Sequence, residues 1–156
     1  MSEELRPQRF QISFPGDLEY VSSVRKLISE VLVSQQYSHK FAYRSEVIVD
    51  EICSNAVKYG CRAVGASVNF ECLIWPDHIE MLVKDPGGSS NDISKLRNAV
   101  TEAQPGPELR RVQEAGLNGG LGLEIVRMLA ESIDVNIDEN NITSIRVVRR
   151  REETGE

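Results

Sequence analysis

Hydrophobic and polar residues alternate along five short stretches of the chain, which is the pattern of a strand that buries one face. These stretches are Arg9–Phe14, Ser67–Ile74, Ile79–Lys84, Ile133–Ile137 and Ile142–Val148. Polar segments with turn chemistry join the second stretch to the third and the fourth to the fifth. Because short turns connect neighbouring strands of opposite direction, we predict a mixed but mostly antiparallel sheet.

Three longer stretches carry apolar residues at intervals of three and four, which is typical of helices with one buried face. They are Leu18–Ser34, His39–Tyr59 and Leu123–Ser132. Asp17 and Ser38 stand just before the first two, where side chains cap helices. Gly60 follows the second, where a left-handed cap is favoured. This order of elements predicts an α+β fold in which the helices pack on one face of the sheet.

The second helix carries two polar side chains at the edge of its buried face. Its apolar stripe consists of Ile48, Ile52 and Ala56. A neighbouring stripe, about 60° to one side, consists of Glu51, Asn55 and Tyr59. An Asn oxygen suits Mg²⁺, which prefers oxygen ligands, and a Glu can accept a proton from a hydroxyl beside that metal. With the helix taken alone, the alternative that both side chains only face solvent stays open.

A long segment between the third strand and the last helix has glycine-rich ends. The first end, Asp85–Gly88, places a carboxylate at a strand end, where it could accept a hydrogen bond from an amine such as that of adenine, or cap a turn. The second end, Gly119–Leu123, leads into a helix whose free N–H groups and dipole favour phosphates. The Lys of a P-loop is absent, and Ile125 stands where a dinucleotide fingerprint has its third glycine.

Length and composition indicate one globular domain over residues 1–156. A net charge of −6 argues against direct binding to nucleic acid or to an anionic membrane, since both require positive charge. The cysteines, Cys53, Cys61 and Cys72, form no CxxC pair and suggest a reduced, cytoplasmic protein. We find no signal peptide and no apolar run of membrane-span length. We expect Arg149–Arg151 and the acidic tail to be solvated or disordered.

Three motifs, taken in order, are specific as a group. Glu51-x-x-x-Asn55 on a helix, Asp85-x-Gly87 after a strand and Gly120-x-Gly122-Leu123 before a helix resemble the motifs of the GHKL ATP-binding superfamily. The leading strand and helix, together with the segment 51–57, resemble more narrowly the anti-sigma factor serine/threonine kinases of bacterial partner-switching systems. The resemblance covers about residues 9–148.

This resemblance implies a two-layer α/β sandwich that binds ATP and Mg²⁺. The implied roles are catalytic base for Glu51, Mg²⁺ ligand for Asn55, adenine contacts for Asp85, Gly87 and Thr143, phosphate contacts for Gly120 and Gly122, and ATP lid for residues 88–118. Two positions depart from the family pattern: Ser89 replaces the last glycine of Asp-x-Gly-x-Gly, and Ile142 replaces the glycine of a late Gly-Thr pair.

The resemblance also implies an activity and partners. Members phosphorylate a serine or threonine of an anti-anti-sigma protein of STAS fold, bind a sigma factor in competition with it, and commonly form homodimers. An alternative is a module that binds nucleotide and sequesters a partner without phosphoryl transfer, although Glu51 favours the kinase. In the lid, Arg110 and Arg111 either approach the phosphates or are solvated charges.

Overall fold

The computed structural model describes residues 6–61, 64–87 and 120–151, and only the backbone of residues 120–122. Five strands lie in these ranges: β1 (Gln8–Pro15), β2 (Ser67–Ile74), β3 (His78–Asp85), β4 (Ser132–Ile137) and β5 (Thr143–Arg150). The helices are α1 (Val21–Ser34), α2 (His39–Gly60) and α3 (Gly120–Leu129). The predicted α+β class and the strand and helix assignments in these ranges are confirmed.

The five strands form one sheet in the order β1-β2-β3-β5-β4. All four pairings among the described strands are antiparallel, so the parallel component of the predicted mixed sheet does not occur in this part of the chain. The β5 strand lies between β3 and β4, which brings the start of β5 beside the end of β3. That neighbourhood contains the predicted adenine contacts.

The buried face of the sheet is built from residues that pair in register across three strands. Val83 pairs with Phe70 on one side and with Ile145 on the other, and Met81 likewise pairs with Cys72 and Val147. These six side chains are buried, because alternate residues of each strand point to the same face. The strands therefore present a continuous apolar surface to the helices.

Helix α2 packs on this surface and contacts β2, β3, α1 and α3. Its predicted apolar stripe, Ile48, Ile52 and Ala56, is buried as expected. The predicted cap is present, since Ser38 Oγ accepts a hydrogen bond from Phe41 N at 3.0 Å. Of the helices in the described ranges, none combines the length and the apolar character that a bilayer span requires.

Three predicted boundaries are wrong in detail. The first helix was predicted to begin at Leu18, but Leu18–Tyr20 forms a 3-10 turn capped by Asp17, and α1 begins at Val21. Helix α3 begins at Gly120, three residues early, so its glycines lie in its first turn rather than before it. It ends at Leu129, because the chain must turn there to begin β4 at Ser132.

The expectation that Arg149–Arg151 is solvated or disordered is wrong for Arg149 and Arg151, whereas Arg150 is exposed at the end of β5. Strand β5 continues to Arg150, and the alternation of the strand turns Arg149 into the interior, where it is 2% exposed. Arg151 is held by hydrogen bonds from Nε to Pro76 O and from Nη1 to Gln36 O, at 2.7 and 3.0 Å. The acidic tail beyond it lies outside the described residues.

Candidate nucleotide site

Helix α2 presents Glu51 and Asn55 one turn apart on the same side. Glu51 is half-buried and Asn55 is 3% exposed, so the pair lies partly within the protein rather than on a solvated face. Tyr59, the third member of the predicted stripe, is half-buried. The alternative of two solvent-facing side chains therefore does not fit Asn55, and fits Glu51 only in part.

The environment of Glu51 makes its carboxylate a better base. Burial raises the pKa of this carboxyl, and the negative charge of neighbouring Asp50 raises it further, while Lys58 opposes both effects. A general base works best when its pKa lies near the operating pH, and an ordinary Glu is too acidic for that. The shift is thus in the direction that proton acceptance from a hydroxyl requires.

The amide of Asn55 offers a test of whether the site fits a phosphate or metal group. Its Nδ2 is buried and has no hydrogen-bond partner among the described residues. A buried amide without a partner is costly, and such an atom in a cleft commonly awaits a ligand or water. A carboxamide offers a donor to phosphate oxygens and an acceptor to Mg²⁺. Asn55 therefore fits the predicted nucleotide and metal role.

Asp85 ends β3 with a carboxylate that is only 4% exposed. Its Oδ1 accepts a hydrogen bond from Gly87 N at 2.8 Å. Burial raises the pKa of this carboxyl to about 6, and the Gly87 hydrogen bond only partly opposes that rise. A buried carboxylate with few protein donors is suited to accept a hydrogen bond from a ligand amine.

Gly87 is one of two positions in the described chain where glycine has a positive φ, here +88°. A Cβ at this position would overlap the backbone oxygen of Asn141. Glycine is therefore required twice, by conformation and by close approach to the turn before β5. This arrangement fits the predicted role of Gly87 as a flat boundary of the adenine site.

Sequence reasoning missed a third component of this site, Gly60. It is the last residue of α2, and its φ is not positive, so the predicted left-handed cap is wrong. A Cβ at position 60 would lie no more than 2.5 Å from Cγ, Oδ1 and Oδ2 of Asp85. The close approach of a helix end to a strand end leaves no signal in the sequence, where a glycine after a helix simply resembles a cap.

The start of β5 completes this corner of the molecule. Thr143 is 2% exposed and pairs in register with Asp85. The preceding residue, Ile142, is 38% exposed and lines a surface cavity of about 390 Å³ with Lys84 and Pro86. Asp85 lines the same cavity, so the departure at Ile142 lies beside the predicted adenine contacts.

Helix α3, which packs against α2, carries the predicted phosphate contacts Gly120 and Gly122 in its first turn. One turn later, Glu124 is 1% exposed, and its Oε1 has no hydrogen-bond partner among the described residues. Each of the two packed helices thus carries a buried polar atom that has no partner in the described part of the chain, and sequence reasoning did not single out Glu124. The predicted lid, with Ser89, Arg110 and Arg111, lies outside the described residues.

The candidate site in the described residues therefore joins α2, the end of β3 and the start of β5. Asp85 meets the last residue of α2, and Glu51 lies nine residues, or about two and a half turns, before that residue. A ligand that contacts both ends must extend along the helix.

The profile of the histidine kinase-like ATPase domain matches residues 14–148 of this sequence. The chain belongs to that family. The superfamily predicted from the three motifs is thereby confirmed.

Relatives within the family are named kinases. The serine-protein kinase RsbW of Bacillus licheniformis is 27% identical over 143 residues, which is 91% of this chain and 86% of the relative. The RsbW of Bacillus subtilis strain 168 is 25% identical over 126 residues, with coverage of 80% and 76%. The narrower resemblance drawn from the sequence, to anti-sigma serine kinases, agrees with these relatives.

Solved structures support the fold. A crystal structure of the SiaB–SiaC complex from Pseudomonas aeruginosa contains a chain that matches with a TM-score of 0.70 at 16% identity, over 92% of this chain and 89% of that chain. At this level of identity the likeness concerns the fold alone. It confirms the predicted arrangement of helices on one sheet.

Proposed function

We propose that this protein is an ATP-dependent serine/threonine protein kinase of the anti-sigma regulatory type. The observation that carries the proposal is the pair on α2: a half-buried Glu51 whose pKa is raised, one turn before a buried Asn55 whose amide lacks a partner among the described residues. A site that only held nucleotide would need the amide and Asp85, but it would not need a base. Relatives named as serine-protein kinases support the same activity.

In the proposed reaction, Asp85 accepts a hydrogen bond from the adenine amine. The ribose and phosphates of ATP then extend along α2 from Gly60 back towards Glu51. Glu51 takes the proton of a serine or threonine hydroxyl as that oxygen bonds to the γ-phosphorus, and the bond to the β-phosphate oxygen breaks to release ADP. Asn55 holds the metal and phosphates in place. When bound, Mg²⁺ supplies charge neutralisation and phosphate orientation.

The partners of the reaction follow from the proposed family role. We propose that the phosphoryl acceptor is an anti-anti-sigma protein of STAS fold, and that the unphosphorylated acceptor competes with a sigma factor for this chain. A crystal structure of SiaB in complex with SiaC supports partnership with another protein. A homodimer, a cytoplasmic location, Mg²⁺ dependence and a lid over residues 88–118 remain parts of the proposal.

Two substitutions on α2 should fail in different ways. Glu51→Gln keeps the shape and removes the base, so it should leave the affinity for Mg·ATP near that of the parent and slow phosphoryl transfer by roughly 10²–10⁴-fold. Asn55→Ala removes a ligand of the nucleotide complex, so it should weaken Mg·ATP binding itself. Calorimetry gives the affinity, and transfer of labelled phosphate to the cognate partner gives the rate.

Glu46→Gln is a matched control on the same helix. Glu46 forms an ion pair with Arg25, at 3.5 Å between Oε1 and Nε, and lies more than one turn before Glu51. This control should bind ATP and transfer phosphate like the parent. Transfer by Glu51→Gln at the parental rate would contradict the assignment of the base and favour the sequestering module.

A further inference from the structure

The Asp85 carboxylate is bounded on three sides by different elements. Gly87 donates its N–H to Oδ1, Thr143 pairs with Asp85 in the sheet, and Gly60 of α2 lies directly against the carboxyl group. A Cβ on Gly60 would overlap all three carboxyl atoms. The position and the orientation of the carboxylate therefore depend on the absence of a side chain at residue 60.

Purine selection depends on where this carboxylate stands. Adenine presents an amine donor at the position where guanine presents an oxygen acceptor. A carboxylate only accepts hydrogen bonds, so it attracts the adenine amine and repels the guanine oxygen. Hydrogen bonds weaken steeply outside a donor–acceptor range of about 2.7–3.2 Å, so a small displacement of the carboxylate reduces the discrimination.

We propose that Gly60 is a positioning residue that sets the purine specificity of this site, because its missing side chain lets the end of α2 hold the Asp85 carboxylate where it selects adenine over guanine. This inference rests on the proposed nucleotide-binding function. It adds to that function a residue that makes no contact through a side chain of its own and that none of the three sequence motifs contains.

The backbone conformation of Gly60 does not itself require glycine, which distinguishes this role from that of a glycine with a positive φ. Gly60 is helical and its φ is not positive, so alanine there meets no conformational penalty and is the better helix former. Among the described residues, the closest overlap of a Cβ at position 60 is with Asp85, so we attribute any harm from Gly60→Ala to that overlap. Either the carboxylate turns away or the end of α2 moves relative to it, and both change the geometry between the acceptor and a purine bound at the end of α2.

The test compares the affinities for Mg·ATP and Mg·GTP by calorimetry. The parent should prefer ATP, and Gly60→Ala should reduce the ATP-to-GTP affinity ratio by about tenfold, the usual effect of losing one buried polar partner. Gly65→Ala is the control, since Gly65 has a φ of +85° and open space around it. That substitution strains the backbone without touching Asp85, and should keep the parental ratio.

A double-mutant cycle with Asp85→Ala adds the unfolding temperature, which is measured without nucleotide, to the two affinities. Once the carboxylate is gone, a methyl group at residue 60 has room, so adding Gly60→Ala should no longer lower the unfolding temperature or change either affinity by more than about twofold. If Gly60→Ala alone fails to fold, a folded double variant supports the inference and an unfolded one overturns it.

The remaining outcomes separate the inference from the proposed function. A parent that prefers ATP, together with a Gly60→Ala protein that keeps the full ATP-to-GTP ratio, overturns the role of Gly60 alone. A parent that binds ATP and GTP equally, or neither, overturns the adenine assignment of Asp85 and the role of Gly60 with it.

Discussion

At the scale of single residues, Asp85 is a carboxyl group held where its charge is disfavoured. Burial raises its pKa from an ordinary 3.8 to about 6, and the hydrogen bond from Gly87 N acts against the rise. Such a group reduces the stability of the protein without ligand, and it is typical of a site built for binding rather than for folding.

Because the pKa of Asp85 is raised, this carboxyl makes the stability of the protein depend on pH in a defined direction. Between about pH 4 and pH 6 the folded state binds more protons at Asp85 than the unfolded state does, so this carboxyl lowers stability as pH rises through that window. Asp85→Asn keeps an oxygen for the Gly87 N–H and removes the charge. It should raise the free energy of unfolding at pH 7.5 by about 1–3 kcal/mol, with a smaller gain near pH 4.5.

Urea unfolding of the parent and Asp85→Asn at both pH values measures this difference, and calorimetry should show that the same substitution weakens ATP binding. A gain in stability that is equal at the two pH values would show that the charge of Asp85 is not its cause.

At the scale of elements, Arg149 joins the two helices of the candidate site. Its guanidinium donates to Leu129 O at the end of α3, and to Phe41 O and Ser45 Oγ near the start of α2, at 3.0, 3.0 and 3.1 Å. It also lies 4.0 Å above the centre of the Phe41 ring. A single buried side chain thereby fixes the helix that carries the predicted phosphate contacts against the helix that carries the predicted base.

Arg149→Met should therefore destabilise the protein, because methionine removes the hydrogen bonds to Leu129 O, Phe41 O and Ser45 Oγ, while the bond from Ser45 Oγ to Phe41 O at 2.9 Å remains. We expect a loss of at least about 2 kcal/mol in the free energy of unfolding, since each hydrogen bond from a charged donor contributes roughly 1.5–3 kcal/mol. Arg150→Met is the matched control, as Arg150 is exposed and pairs with Glu131 on the surface. The control should unfold close to the parent in urea, and equal losses in both variants would contradict the buried role of Arg149.

The spacing of apolar residues predicted most elements, because an element that buries one face has apolar residues at the intervals of a strand or a helix. It did not reveal the start of α3, since Gly120 and Gly122 are poor helix formers whose helical state depends on packing against the rest of the chain. It also grouped Arg149 with its two charged neighbours. The alternation of a strand separates them, because it turns residue 149 inward and residue 150 outward.

At the scale of the whole molecule, the sheet brings together positions that are far apart in sequence. The ladder between β3 and β5 places Thr143 beside Asp85, and α2 crosses the sheet so that its last residue meets the same carboxylate. Motif order was sufficient to predict the polar groups of this corner. Gly60 escaped prediction because it acts by its lack of volume, which only the packed chain makes visible.

Phosphoryl transfer from ATP to a partner protein is measured most directly on partners isolated with this chain from its native cell. The complex is incubated with γ-labelled ATP and Mg²⁺, and mass spectrometry locates the label. We predict a labelled serine or threonine on a co-purified protein with the parent, and labelling slowed by roughly 10²–10⁴-fold with Glu51→Gln. A parent that binds ATP but labels no co-purified protein would contradict the proposed kinase activity.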